Sequence, residues 1–63
     1  MPFTVIWELA GHQEVERQTF EGLNVARDEA EGRALAWAGL ENSEVTARIL
    51  DADGNQLDLI ARG

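Results

Sequence analysis

The side chains that could perform acid–base chemistry lie close together near the N-terminus. His12 is the single histidine of the chain, and Glu14 and Glu16 follow it at two-residue steps. An imidazole beside a carboxylate is the usual arrangement of a general base and an orienting acid. A nucleophile has little support, because the chain has no cysteine and Ser43 is its single serine. Catalytic groups must also converge in a pocket, so we interpret His12 as a solvated turn residue and expect no catalytic residues and no enzyme activity.

A second group of possible ligands is the run Asp51-Ala52-Asp53-Gly54-Asn55. A calcium loop of the EF-hand type needs glycine at about its sixth position and glutamate at about its twelfth. Counted from Asp51, those positions hold Gln56 and Arg62, so the spacing excludes that loop. Asp-Gly between two strand-like segments instead predicts a hairpin turn. We therefore predict no metal site and no cofactor.

Trp7 and Trp37 could line a ligand site or form a stacking platform. Each tryptophan can bury on the order of 200 Å² of surface, which a small core needs. A ligand pocket of even about 300 Å³ is hard to enclose in a chain of 63 residues. We therefore interpret both tryptophans as core residues.

The charge balance restricts the partners. Twelve acidic residues stand against five arginines, for a net charge of −7, and the arginines are scattered at positions 17, 27, 33, 48 and 62. Because binding to phosphates needs clustered basic groups, we predict no nucleic-acid and no membrane partner. The charge is compatible with ordinary solubility or with an inhibitor that mimics nucleic acid and occupies a basic protein. No apolar run approaches about 20 residues, and no signal-like segment opens the chain, so we expect a cytoplasmic protein.

Four strand-like segments and one helix-like segment must position these groups. Residues 4–9 are rich in β-branched and aromatic types, and residues 14–20 alternate imperfectly after a turn at 10–13. Residues 45–49 alternate strictly, with Val45, Ala47 and Ile49 on one face. Residues 56–62 alternate with Leu57 and Leu59 on one face, together with Ala61. The predicted order is ββαββ.

The helix-like segment lies between the second and third strands. Asn24 is a suitable N-cap, the acidic residues at 28, 29 and 31 suit the first turns, and Gly39 or Asn42 ends the helix. Steps of 100° per residue place the following residues on one face: Ala26, Ala30, Ala34 and Trp37. This face is predicted to cover the sheet.

Connection rules give a topology for one domain spanning residues 1–63. The first strand is the most apolar and so central, and a right-handed crossover over it gives the strand order 2-1-3-4. The fold class is therefore α+β, with a four-stranded antiparallel sheet and one helix on one face. The open face of the sheet is predicted to carry an apolar strip of Ile6, Leu50 and Ile60.

A resemblance accompanies this pattern. The alanine- and glutamate-rich segment 26–38, followed by a strand and the turn at residues 51–55, resembles several small bacterial domains of unknown function. Those domains combine an N-terminal hairpin, one helix and a closing hairpin. The resemblance implies the same fold and a bacterial source, and it implies no activity.

The apolar run from Ala34 to Leu40 has no polar side chain on any side. A helix on a sheet needs only one apolar stripe, so its outer side is predicted to contact a second copy or another protein. That outer side carries Leu35, Gly32, Ala36 and Gly39. The alternative interface is the open sheet face with Ile6, Leu50 and Ile60. An edge strand is a further option, because residues 57–60 carry less charge than the second strand.

Overall fold

In the computed structural model, which describes residues 1–10 and 12–63, four strands and one helix follow the order ββαββ. Their bounds are β1 Phe3–Leu9, β2 Gln13–Phe20, α1 Leu23–Glu41, β3 Val45–Leu50 and β4 Gln56–Arg62. Gly11, part of the predicted first turn, lies outside the described residues. The five elements lie where the apolar patterns predicted them.

The sheet has the strand order β2-β1-β3-β4, and each neighbouring pair is antiparallel. The predicted topology is therefore confirmed. The central strand β1 pairs Ile6 with Arg17 on β2 and with Arg48 on β3. The two outer edges of the sheet belong to β2 and β4.

The core lies between the sheet and α1. Trp7 is fully buried on β1, and the predicted inward residues of β3 are fully buried as well. Their partners on the helix are three fully buried alanines: Ala26, Ala30 and Ala34. Such small side chains allow the helix to lie close to the sheet, and the Trp7 indole N–H donates a hydrogen bond of 3.0 Å to the Ala30 carbonyl. Trp7 is thus the large core residue, whereas Trp37 is half-buried at the border.

The helix begins earlier than predicted. Gly22 is the N-cap in an extended conformation, and its carbonyl accepts a 3.0 Å hydrogen bond from the Ala26 N–H. Asn24 therefore lies inside the first turn, which holds no acidic residue, and its prediction as N-cap is wrong. The Glu21-Gly22 pair is long enough to join β2 to the helix, so no further linker is required. At the other end, Asn42 adopts the left-handed conformation with φ 52° and caps the helix, which confirms one of the two predicted ends.

The residues of β4 that face the helix differ from those predicted. Leu50 pairs with Gln56, whereas Ile49 pairs with Asp58, so Leu57 is an extra residue at a bulge. Without the bulge, Leu59 would pair with Ala47 and face the helix. With it, Ile60 pairs with Ala47 and packs against the core. The prediction that Ile60 lies on the open face is therefore wrong.

Candidate interaction surfaces

The outer helix surface is the side of α1 turned away from the sheet. Its apolar residues, all exposed and opposite the buried alanines, are Val25, Gly32, Leu35, Ala36 and Gly39, and the exposed Asp28 lies among them. Leu35 is 54% exposed and Val25 is 53% exposed. Leu40, on the flank of the helix, is 77% exposed. The structure thus places the four residues of the predicted helix interface together and in solvent.

Two glycines leave part of this surface without side chains. An added Cβ at Gly32 or at Gly39 would meet no atom within 4 Å, so neither glycine is required by packing within the chain. A glycine inside a helix lowers stability by about 1 kcal/mol relative to alanine. The two glycines therefore lower the stability of the helix, and no packing contact within one copy accounts for them.

The open face of the sheet is less apolar over β1 than the sequence predicted, and it exposes Leu59 on β4 in place of Ile60. Ile6 is only 2% exposed, because it lies between two arginines on the neighbouring strands, Arg17 and Arg48. Arginine stems readily cover apolar surface while the guanidinium stays in water. The expected apolar strip is therefore wrong in Ile60, which lies on the other face, whereas Ile6 lies on the open face as predicted but is buried there. Leu50 remains half-buried.

Ion pairs hold this cover in place. The Arg17 guanidinium donates to the Glu14 carboxylate at 2.8 Å, and Arg48 donates to Glu8 at 3.2 Å. The hydrogen bond from Arg17 lowers the pKa of Glu14 below its ordinary value. The part of the open face over β1 and β2 is consequently polar and charged.

The free edge of β4 has two backbone groups that its own side chains satisfy. The Leu59 N–H donates to the Asp58 carboxylate at 2.9 Å. The Ala61 carbonyl accepts from the Arg62 guanidinium at 2.7 Å. Leu59 is 53% exposed on the open face, opposite Arg48. This edge was predicted as an option only from its low charge, and the roles of Asp58 and Arg62 were missed.

A network around Arg33 joins the helix to β2. Arg33 donates to Glu29 at 2.7 Å and also to Glu16, and the Trp37 indole N–H donates to the same Glu16 at 2.9 Å. The Arg33 guanidinium also lies 5.4 Å from the centre of the Trp7 ring. The hydrogen bond to Glu29 is the main cause that raises the pKa of Arg33. This arrangement anchors the helix to the edge of the sheet.

The acids predicted as neighbours of His12 are engaged elsewhere. His12 is exposed, Glu14 binds Arg17, and Glu16 binds both Arg33 and Trp37. The structure therefore does not bring these three residues together as an acid–base group. Across residues 1–10 and 12–63, no three histidine or acidic side chains cluster as metal ligands, and no pocket is formed.

The Asp51–Asn55 segment forms the hairpin turn that the sequence predicted. The Asp51 carboxylate accepts hydrogen bonds of 2.9 Å from the backbone N–H groups of Asp53 and Asn55. Gly54 adopts φ 87°, a conformation that favours glycine. The backbone hydrogen bond from Asn55 is the main cause that lowers the pKa of Asp51. The carboxylate of Asp51 thus serves the turn itself.

Comparison of the chain with protein-family models, with curated proteins and with solved structures gives no match. The suspected resemblance to small bacterial domains is therefore supported only as far as its ββαββ arrangement. Within the described part of the chain, no helix has the length and apolar character needed to cross a membrane.

Proposed function

We propose that this chain is a small, acidic, non-enzymatic protein-interaction domain that self-associates, with a homodimer as its basic assembly. The observation that supports this most directly is the outer helix surface, where Leu35 and Val25 are more than half exposed. Exposed apolar groups gathered on one surface are typical of contact sites. A small chain also gains stability when part of its apolar surface is covered by a partner.

The choice of the helix over the open sheet face rests on the side chains around each. Gly32 and Gly39 leave room for a close approach of a second helix, and Leu35 lies beside them. The sheet face near β1 is covered by arginines instead, and Ile6 is 2% exposed there. We therefore place the self-contact at the outer helix surface.

The test is the solution mass, measured by light scattering behind size exclusion over a wide concentration range. The wild type is expected to reach at least twice the 7.0 kDa of one chain. Leu35→Glu is expected to weaken association about tenfold or more, because the exposed halves of the two leucines would together lose about 1.5–3 kcal/mol of burial, and each copy would place a charge in the contact.

Ala52→Glu is the matched control, because it adds the same negative charge at an exposed position of the turn. It is expected to leave the mass unchanged. A wild type that stays monomeric at every concentration contradicts self-association. An association that Leu35→Glu leaves unchanged contradicts the helix contact.

A further inference from the structure

The free edge of β4 has a pattern of donors and acceptors that fits another strand. Leu59 directs its N–H, and Ala61 its carbonyl, to the neighbouring side chains of Asp58 and Arg62 rather than to β3. In an antiparallel strand, alternate residues direct both backbone groups to the same side. Leu59 and Ala61 therefore both turn their N–H and carbonyl groups away from β3, toward the free edge.

We propose that this edge pairs with the same edge of a second copy, antiparallel and centred on Ile60. The two-fold axis then places Leu59 opposite the partner's Ala61, in a position to exchange both backbone hydrogen bonds. The two four-stranded sheets become one continuous sheet. This inference rests on the proposed self-association, but it uses a surface separate from the outer helix surface, so a wild-type chain that uses both contacts assembles beyond the dimer.

Charge complementarity selects this register. Centred on Ile60, the pairing places Asp58 opposite the partner's Arg62, and symmetry repeats the pair. Centred on Leu59, Asp58 would instead meet the partner's Ile60 and find no opposite charge. Opposite charges that face each other across two strands stabilise the pairing, and like charges weaken it. The segment Asp58–Arg62 is thus complementary in charge to the same segment of an antiparallel partner.

Pairing exchanges contacts within one copy for contacts between two copies. In one copy, Asp58 lies 3.7 Å from Arg27 and Arg62 lies 2.6 Å from Glu31, both at the exposed border between sheet and helix. Such exposed ion pairs contribute little to stability. The pairing replaces the two side-chain caps by strand hydrogen bonds, and it brings the half-buried Ile60 next to the partner's Ile60. The caps satisfy the Leu59 N–H and the Ala61 carbonyl in the monomer until a second copy replaces them.

The helices leave room for this contact. α1 contacts β1, β3 and β4 most closely, so its axis lies near β3. With strands about 4.8 Å apart, three spacings separate the two copies of β3, or about 14 Å. Helices that pack directly lie about 8–10 Å apart, so the two copies of α1 do not collide. On the open face, Leu59 gains the partner's Ala61 as a neighbour.

The experiment uses the Leu35→Glu chain as background, so that the helix contact is removed first. Asp58→Arg is expected to abolish the remaining dimer, since it puts a positive charge opposite the partner's Arg62. Arg62→Asp is expected to do the same with two negative charges. An equimolar mixture of these two chains is expected to form a heterodimer, because each charged position then faces its opposite. Light scattering and native mass spectrometry measure the outcome.

The mixture separates the contact from damage to the fold. Asp58→Arg and Arg62→Asp each remove an ion pair to the helix, and a loss caused by that damage would not be reversed by mixing. Asp53→Arg in the same background is the control of equal charge change, and its dimer is expected to persist. A monomeric Leu35→Glu chain, or single variants that remain dimers, or a mixture without heterodimer, would each overturn the proposal. These results are read with the helix contact removed, and the comparison of Leu35→Glu with the wild type tests that contact separately.

Discussion

At the scale of single residues, Asp51 shows how one carboxylate organises a turn. It accepts the N–H groups of Asp53 and Asn55, and the Asp51 N–H in turn donates to the Asn55 carbonyl at 2.9 Å. Asp and Asn side chains commonly bond the backbone a few residues on, which is why the turn could be predicted from residue types. The effect on the pKa of Asp51 needs the geometry, because it depends on which N–H groups reach the carboxylate.

The pH dependence of stability follows from this geometry. The pKa of Asp51 in the folded chain is lowered from its ordinary value of 3.8. The unfolded chain therefore binds the proton more readily, so the contribution of Asp51 is fully present above about pH 4 and is lost as the pH falls through the folded pKa. Asp51→Asn is expected to reduce the slope of stability against pH in this acid window. Urea unfolding followed by circular dichroism at several pH values measures it.

Asp53→Asn is the matched control, because it removes the same charge from the same turn. Asp53 contributes its backbone N–H, which the substitution keeps. Its acid slope is expected to stay closer to that of the wild type. An Asp51→Asn chain with an unchanged slope would show that the turn hydrogen bonds do not favour the charged carboxylate.

The residue-level predictions succeeded where a local pattern decides and failed where distant partners do. Trp7 could be placed in the core, because it lies in the most apolar strand. The hydrogen bond from its N–H to the Ala30 carbonyl, 23 residues away, could not be predicted. The same holds for Arg33, whose partner Glu16 comes from another element. That His12 is exposed could be predicted from the turn pattern alone.

At the scale of elements, α1 combines two unlike sides. The inner side has three fully buried alanines, and the outer side has Gly32 and Gly39 where a Cβ has open space. Helix propensity therefore favours alanine at both glycines. The proposed contact gives these glycines a role, because a second helix can approach more closely over glycine than over alanine.

Gly32→Ala with Gly39→Ala tests that role. The double variant is expected to raise the free energy of unfolding of the monomer by about 2 kcal/mol, since each glycine lowers it by about 1 kcal/mol. It is also expected to weaken self-association, because the added methyl groups hold the second helix away. Thermal unfolding at low concentration and light scattering at high concentration measure the two effects. A gain in both stability and association would contradict close packing at the outer helix surface.

The strands show the limit of periodicity. Strict alternation in β3 gave its buried face correctly, with Val45, Ala47 and Ile49 all fully buried. In β4 the bulge at Leu57 moved each residue after it to the opposite face of the sheet from the one predicted. Charged residues can face the helix there, because an edge strand is only partly covered and Asp58 and Arg62 reach partners on α1. Alternation of apolar residues cannot reveal an inserted residue.

At the scale of the whole molecule, charge opposes the contacts that apolar surface favours. All five arginines are engaged in ion pairs within the chain, which leaves the net charge of −7 to be borne by the remaining acids. Two copies that approach each other therefore repel. Added salt shortens the range of that repulsion, from about 30 Å at 0.01 M to about 10 Å at 0.1 M. The two proposed contacts respond differently, because the helix contact is mainly apolar and the edge contact includes pairs of opposite charge.

Asp58→Arg, which leaves the helix contact alone, is expected to associate more tightly as salt is added. Leu35→Glu, which leaves the edge contact alone, is expected to gain less, since salt also screens Asp58 against the partner's Arg62. Sedimentation equilibrium across a salt series measures both. A decrease in the association of the Asp58→Arg chain with salt would contradict an apolar contact between the helices.

The packing of Trp7 against small helix residues also predicts how this sequence can diverge. Interiors keep a nearly constant packing density, so a large residue on one side requires small residues on the other. A relative with a smaller residue at position 7 should compensate with larger residues at positions 26, 30 or 34. Covariation of size among these four positions, with little identity elsewhere, is therefore the signature by which distant homologues of this chain could be found.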